Sequence, residues 1–270
     1  MNLLAAALLG IVQGLTEFLP VSSSAHLILA RAFFGWDAEQ SFGLAFDVAC
    51  HVGTLAAVLV FFRADVAEMI AVLPRAFGSS PGPAERRIRL IAVGTLPIVV
   101  AGALYTDAVE SALRTPAVAA VALLVGAGLL LIIERLSART KGEEALSAGG
   151  ALAIGFAQAV ALVPGVSRSG ATIVTGMALG LRREAAARFA FLMSIPAILA
   201  AAAKEGLELR HVTLGPDAVP LFLVGMLTSA VVGYLTVKYF IRFLVSHKLD
   251  VFAWYRVGLA AATFVWLAAR

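Results

Sequence analysis

An all-α polytopic membrane protein made of two inverted-topology repeats is the fold this sequence predicts, and three observations predict it. The first is composition: of 270 residues, 61% are hydrophobic and 14% charged, with mean hydropathy +0.94. A soluble domain carries about 25% charged residues, so a soluble enzyme is excluded in favour of a chain that crosses a bilayer several times. The second is a pair of polar strings, each broken by Pro and Ser, inside otherwise oily sequence: Gln13 to His26 and Gln158 to Thr172. The third is an internal repeat that superposes those two strings.

The elements follow in order. Region 3–35 is apolar but interrupted by Pro20-Val21-Ser22-Ser23-Ser24. Neither half is long enough to cross at 1.5 Å per residue, so it reads as a re-entrant helix–loop–helix hairpin, its freed backbone buried in protein or facing water. Spans are expected at 41–62, 89–105 and 116–135. The connection 63–88, with Ser79-Ser80-Pro81-Gly82-Pro83 and Arg86-Arg87, reads as the longest and most mobile loop, its charges solvated. Region 148–181 is a second hairpin, broken by Pro164-Gly165-Val166-Ser167-Arg168-Ser169. Spans at 186–203, 218–240 and 251–268 complete a single membrane domain, 1–270, with a first repeat over 1–140 and a second over 146–270.

An offset of 145 carries Gly10, Gln13, Val21, Ser22, Ser24 and Ile28 onto Gly155, Gln158, Val166, Ser167, Ser169 and Ile173. After a shorter loop, an offset of 131 carries Val93, Gly94, Leu96, Gly102 and Leu104 onto Val224, Gly225, Leu227, Gly233 and Leu235. A hairpin plus three spans is an odd number of crossings, so the second copy inserts upside down relative to the first. Broken helices then meet near the midplane from opposite faces and form one site. Fourteen Lys and Arg residues, from Arg63, Arg75 and Arg86 through Arg135, Arg182 and Arg188 to Lys238, Arg242 and Lys248, fall on one face. The other face has Arg31, Arg114, Lys204, Arg210 and Arg270. The positive-inside rule puts the richer face in the cytoplasm and both termini outside. Met1-Asn2 gives no positive n-region, so no cleavable signal peptide is expected. Cys50 is alone, which excludes an intramolecular disulfide and a Cys-based metal cluster. No basic stripe interleaved with aromatics occurs, so no nucleic-acid partner is expected despite the net charge of +4.

Ionisable groups in such a setting cost roughly 2.5–3.5 kcal/mol on insertion scales and persist where they bind or react. Gln13 and Glu17 share a helix face; Glu17 can hold a divalent cation, take a proton or cap the hairpin backbone. Ser22, Ser23 and Ser24 stand where hydroxyls cap a helix N-terminus, and any of them can also react. His26, a turn later, can act as acid, base or nucleophile, and it is the near candidate to activate a serine. Gly165 to Gly170 has the makings of an anion cradle: small residues, a helix N-terminus, the Arg168 fork, and the hydroxyls of Ser167, Ser169 and Thr172. Arg168 also suits an ion pair with Glu17, which substrate or metal could break. Asp47 and His51, at i and i+4, read as a helix-stabilising pair, or as residues that support the site from behind or handle a proton. Glu184 and Arg188 read as an ordinary surface pair, and His211 and His247 as incidental. A carboxylate, an imidazole, serines and an anion cradle in a membrane suit phosphoryl transfer on an amphiphile.

These residues resemble the undecaprenyl-diphosphate phosphatase family of bacteria, also called the bacitracin-resistance family. The likeness rests on Gln13-x-x-x-Glu17-Phe-Leu-Pro-Val-Ser-Ser-Ser24, His26 and Pro164-Gly-x-Ser-Arg-Ser-Gly-Ala-Thr172. It extends to Phe46-Asp47-x-x-x-His51-x-Gly53-Thr54 and Phe189-Ala-Phe-Leu-Met-Ser-Ile-Pro196, nearly the whole chain. The resemblance implies hydrolysis of the terminal phosphate of a polyprenyl diphosphate carrier, recycling it for cell-wall synthesis, in the bacterial plasma membrane with the site open to the outer face. It implies Glu17 as ligand of an activating divalent cation (Mg2+ or Ca2+), Ser23 or His26 as attacker or activator, and Arg168 with Ser167, Ser169, Gly170 and Thr172 holding phosphates. Gln13, Ser22 and Ser24 complete the expected substrate contacts. Gln13 stands where family members carry Glu or Gln, so one potential metal ligand is neutral here, and Ala25 replaces a usual Gly. A homodimer is compatible with the reading. A carrier moving polyprenyl phosphate between leaflets through the same headgroup site is the alternative. The acid-phosphatase type of lipid phosphatase fits less well, because no His-x-x-x-Asp follows Ser167-Arg168.

Overall fold

A computed structural model describes residues 2–36, 40–208 and 218–270; Arg210 and His211 lie outside the described residues. Among the described residues the chain is helical throughout, with eleven α-helices and two short 3-10 turns. The first string splits α1 (Leu3–Thr16) from α2 (Ser23–Phe34), and the second splits α7 (Ala148–Val160) from α8 (Arg168–Ala178). Each of the four is too short to cross a bilayer. The long helices are α3 (Gln40–Phe61), α5 (Pro83–Leu113), α6 (Pro116–Leu136), α9 (Arg183–Glu208), α10 (Ala218–Ser246) and α11 (Asp250–Ala268). Five of these are long and apolar enough to span on their own. α3 and the stretch that begins with α4 (Arg63–Val72), bent by 83° at their junction, pass the same length and composition test only as a pair. The chain is a multi-pass membrane protein.

Local chemistry explains the boundaries. Asn2, Thr115 and Ser147 accept the N–H three residues on and start α1, α6 and α7. Pro83 and Pro116 occupy first-turn positions, where no N–H is missed. The starts of α2 and α8 are unusual: Ser22 (φ 71°) and Ser167 (φ 73°) cap them from positive φ. Such backbone costs on the order of 1–3 kcal/mol for a residue with a Cβ and gathers at functional sites. The two serines are 145 residues apart, the spacing of the sequence repeat.

Packing exchanges partners between the halves. α1 lies against α10, and α7 against α5. At the first crossing a Cβ on Gly10 would collide with the Gly225 backbone, and at the second a Cβ on Gly155 would collide with Gly94. These are the glycines that the offsets of 145 and 131 equate, so small residues let the broken helices approach long ones at backbone distance. A core around Phe18, Phe62, Phe191 and Phe240 fills the centre, where Phe18 of the first break meets Phe191 edge-on at 5.2 Å.

The basic residues gather at the two ends of the bundle. Where α5 begins, Arg87 bonds Asp65 and Glu143, and Arg188 bonds Asp65. Glu134, 3% exposed, holds Arg139, Arg183 and the Leu249 N–H there. Where α5 ends, Arg31 and Arg114 meet Asp47. Two expectations are corrected. The connection 63–88 is largely helical, and several of its charges are paired: Asp65 with Arg87 and Arg188, Arg75 with Glu85, while Arg86 reaches the Leu146 carbonyl. Glu184 meets Arg182 at 3.6 Å, while Arg188 turns away to Asp65.

Gly155→Val forces a side chain onto the Gly94 backbone and should lower stability by about 1–3 kcal/mol as an overpacked contact, read as a drop in the unfolding midpoint in detergent. Gly128→Ala, at a helical site with open space around the Cβ, should leave the midpoint unchanged or raise it.

Candidate active site

Glu17 is the centre of the site. It follows α1 by one residue, is 7% exposed, and binds side chains from four elements. Gln13 Nε2 donates to Oε2 at 2.8 Å, and Ser23 Oγ donates to the same oxygen at 2.7 Å. His51 Nε2 lies 3.3 Å from Oε2, and Arg168, from the second string, pairs with Oε1. The carboxylate is therefore satisfied by side chains and does not cap the hairpin backbone. Its geometry comes from the breaks: Ser23 and Arg168 are the first helical residues after the capping serines 22 and 167, so both project from helix N-termini toward the same carboxylate.

The remaining hydroxyls lock the two breaks together. Ser24 Oγ accepts from Gly165 N–H at 3.4 Å, and Ser169 Oγ donates to the Leu19 carbonyl at 2.9 Å. Ser22 Oγ lies 3.2 Å from Ser24 Oγ, and Ser167 Oγ lies 3.2 Å from Ser169 Oγ. Ser167 Oγ also accepts from Gly170 N–H at 3.0 Å. Thr172 donates to the Arg168 carbonyl at 2.7 Å. In this arrangement the protons of Ser169 and Thr172 are spent on backbone, and Ser23 and Arg168 join Gln13 as donors turned to Glu17.

His26 stands apart from this cluster. Nδ1 is 2.7 Å from the Ser22 carbonyl, which can only accept, so Nδ1 carries the proton. Nε2 is 2.7 Å from the Tyr255 hydroxyl, with the two rings parallel within 2°. The expectation that His26 is the near base for a serine is corrected: Ser23 is held on Glu17 instead. Asp47 and His51 do not form the expected side-chain pair either. The Asp47 carboxylate goes to Arg31 and Arg114, and His51 Nδ1 takes the Asp47 carbonyl at 2.7 Å.

Sequence reading passed over Arg256, in the middle of α11 and 1% exposed. Its guanidinium donates to the carbonyls of Leu123, Ala122, Gly165, Val166 and Pro20, at 3.0 to 3.4 Å. Three of those belong to the two breaks, where irregular backbone leaves carbonyls without helical partners. Gly126 makes the room, since a Cβ there would strike the guanidinium. The available signal was a lone Arg inside an apolar span, a marker of function in its own right. Gln13 Oε1 and both polar atoms of Gln158 are buried without a hydrogen-bond partner.

With this geometry in place, comparison with known proteins decides the family. The family model of Bacitracin resistance protein BacA matches residues 6–262. The chain belongs to that family. A relative from Rubrobacter xylanophilus, named undecaprenyl-diphosphatase, is 47% identical over 264 residues, 97% of each chain. Relatives of the same name from Desulforudis audaxviator and Alcanivorax borkumensis are 42% and 43% identical, over 98% and 97% of this chain.

Replacing Arg256 by Met keeps bulk but leaves the break carbonyls without a donor, a cost of about 1–3 kcal/mol per buried group. The expected result is a lower unfolding midpoint. Arg256→Lys should not restore it, because an ammonium has no fork to span two breaks.

Proposed function

We propose that this chain hydrolyses the terminal phosphate of undecaprenyl diphosphate to give undecaprenyl phosphate and inorganic phosphate, recycling the lipid carrier for cell-wall synthesis. The observation that carries the reading is Ser23 Oγ donating to Glu17 Oε2 at 2.7 Å beside the Arg168 guanidinium. That set holds a nucleophile, its base and a phosphate fork. The names of the relatives and the near-complete coverage support it.

In the mechanism we favour, the diphosphate draws Arg168 from Glu17, and the guanidinium binds phosphate oxygens as a bidentate fork. Glu17 takes the Ser23 proton as Oγ attacks the terminal phosphorus, and the anhydride P–O bond breaks. Polyprenyl phosphate leaves with that electron pair and takes the proton from Glu17. Glu17 then takes a proton from water as the water oxygen attacks the phosphoserine, the P–Oγ bond breaks, and the proton passes to Ser23 Oγ as inorganic phosphate is released. Arg168 balances charge on the transferred group, where most of the catalytic gain in phosphoryl transfer lies. His26, with Nε2 held by Tyr255, serves beside this cluster rather than as its base.

Among the described residues no three His, Cys, Asp or Glu side chains gather as a cation cage. Glu17 with the unpartnered, buried Gln13 Oε1 offers two oxygens, which fits a Mg2+-type ion that keeps its other ligands on phosphate and water. Such an ion, held by Glu17 and Gln13, would neutralise phosphate charge; Ca2+ fits the same donors with looser geometry.

The halves 1–140 and 146–270 are inverted repeats in this reading, supported by the exchanged helix pairs and the paired serine caps. The arginine-rich end is cytoplasmic, with both termini and the site's opening on the outer face, and the site is complete within one chain whether or not copies pair. Transport of polyprenyl phosphate between leaflets is the less favoured reading, because headgroup binding alone gives no role to a serine held on a carboxylate.

Purified protein in detergent should release phosphate from polyprenyl diphosphate only with a divalent cation. Glu17→Gln and Arg168→Ala should each lower release by about 100-fold or more, as expected for lost proton transfer or charge stabilisation. Quenching with labelled terminal phosphate should leave label on Ser23, and none in Ser23→Ala. Release unaffected by all three changes would reject the reading.

A further inference from the structure

An apolar groove of about 680 Å3 lies behind the second break, between α6, α7 and α8. That is within the range of about 300–1,000 Å3 usual for ligand pockets. Val118, Val121, Val125 and Leu129 line it from α6 at spacings of three and four residues, so one face of that helix runs along it. From Ala117 to Leu129 the lining covers about 18 Å of helix. Depth comes from small residues: Ala122 and Gly126 on α6, Ala157 on α7 and Ala171 on α8. Val121, Val125, Leu129 and Val160 form the rim, each half exposed or more.

The groove joins the candidate site at the break. Val163 and Val166 line it, as does Gly170, in the same first turn of α8 as Arg168. Gly165 presses on α6 at Ala119 and Ala122, where an added Cβ would collide. The break therefore meets the groove about 10 Å of helix from Leu129. Arg256 forms a wall that the groove shares with both breaks, because its guanidinium reaches Pro20 as well as Gly165 and Val166. Two other apolar cavities lack this continuity. One, among α4, α5 and α9, touches neither break; the other meets the second break at Leu162 alone and has Lys204 and Glu205 in its lining.

A lipid whose phosphate is held by Arg168 has its carbon chain beside Gly170, at the entrance to this groove. Bilayer tails are as apolar as Leu, so a chain gains there by close contact and not by leaving water. A chain tethered to a bound phosphate meets the groove at high effective concentration, an advantage that free bilayer chains lack. We propose that the groove between α6, α7 and α8 holds the first isoprene units of the polyprenyl tail and selects long chains over short ones; the inference rests on the polyprenyl diphosphate reading above.

The test uses the full-length protein in detergent and a matched pair of substitutions. Leu129 and Leu124 are 50% and 40% exposed on the same helix, and of the two Leu129 alone lines the groove. The readout is the ratio of kcat/KM for undecaprenyl diphosphate to that for geranyl diphosphate, whose tail ends short of Leu129. Leu129→Trp should lower this ratio about 10-fold, the worth of roughly two buried methylene groups. Leu124→Trp should leave it within about twofold of the parent. Loss of folded protein scales both substrates alike and cancels in the ratio. A ratio unchanged in Leu129→Trp, or lowered equally in both variants, would overturn the proposal.

Labelling reads occupancy without turnover. Cys50 is buried, so Leu129→Cys adds the accessible thiol. Undecaprenyl phosphate should slow its reaction with N-ethylmaleimide several-fold, and phosphatidylglycerol should not. Equal slowing by the two lipids, or none by either, assigns the groove to bilayer chains and rejects the proposal. If the parental protein releases no phosphate from either diphosphate, the hydrolysis reading fails, and the labelling alone decides the groove.

Discussion

The ion pair between Glu17 and Arg168 is the constraint on which the rest of the structure turns. The two residues are 151 positions apart and lie in a medium where either charge alone is costly. They meet because each sits at a helix break, and the breaks are pressed together by Ser24 on Gly165 and Ser169 on Leu19. Removing one partner of such a buried pair leaves an uncompensated charge, which costs more than the pair contributes. The arrangement is therefore self-consistent only when both strings are in place. In the proposed reaction substrate phosphate competes for the guanidinium, so the pair that joins the breaks would also hold Arg168 ready for an anion.

The division of labour between the strings follows from their equivalence. Ser23 and Arg168 occupy the same position after a capping serine in positive φ, and both reach Glu17. The place of Glu17 in the second string is taken by Leu162, and that of His26 by Ala171. In the proposed reaction the two breaks thus supply different halves of the chemistry: nucleophile and base from one, phosphate fork from the other. Arg256 supports both by filling the carbonyl vacancies that the breaks create. The glycine crossings let each hairpin rest on a long helix of the other half.

Much of the fold was legible because hydropathy, length and Pro-Ser punctuation are local signals. Both breaks and five of the six expected spans fall where the sequence places them, while 41–62 passes as a span only together with the bent stretch that follows it. Helices run past their apolar windows, as α5 does from Pro83 to Leu113, because Arg87 finds Asp65 and Glu143 at its polar start. The residue types of the site were legible for the same reason: a Glu, a Ser-Ser-Ser and an Arg stand out against oil. Their pairing was not. Ser23 meets Glu17 while His26 meets Tyr255, 229 residues away, and contacts of that separation leave no periodic trace. Arg256 was hidden by the apolar run around it, and the i, i+4 spacing that suggested an Asp47–His51 side-chain pair gave no sign that His51 would meet Glu17.

The central claim, that the two broken strings form one catalytic site, is tested most directly by a double-mutant cycle on phosphate release with Glu17→Gln, Arg168→Gln and the double variant. Groups acting as a unit are not additive. The account predicts that the double variant is no slower than the slower single one, a coupling of more than about 1 kcal/mol. Losses that simply multiply would contradict it, placing Glu17 and Arg168 in separate sites.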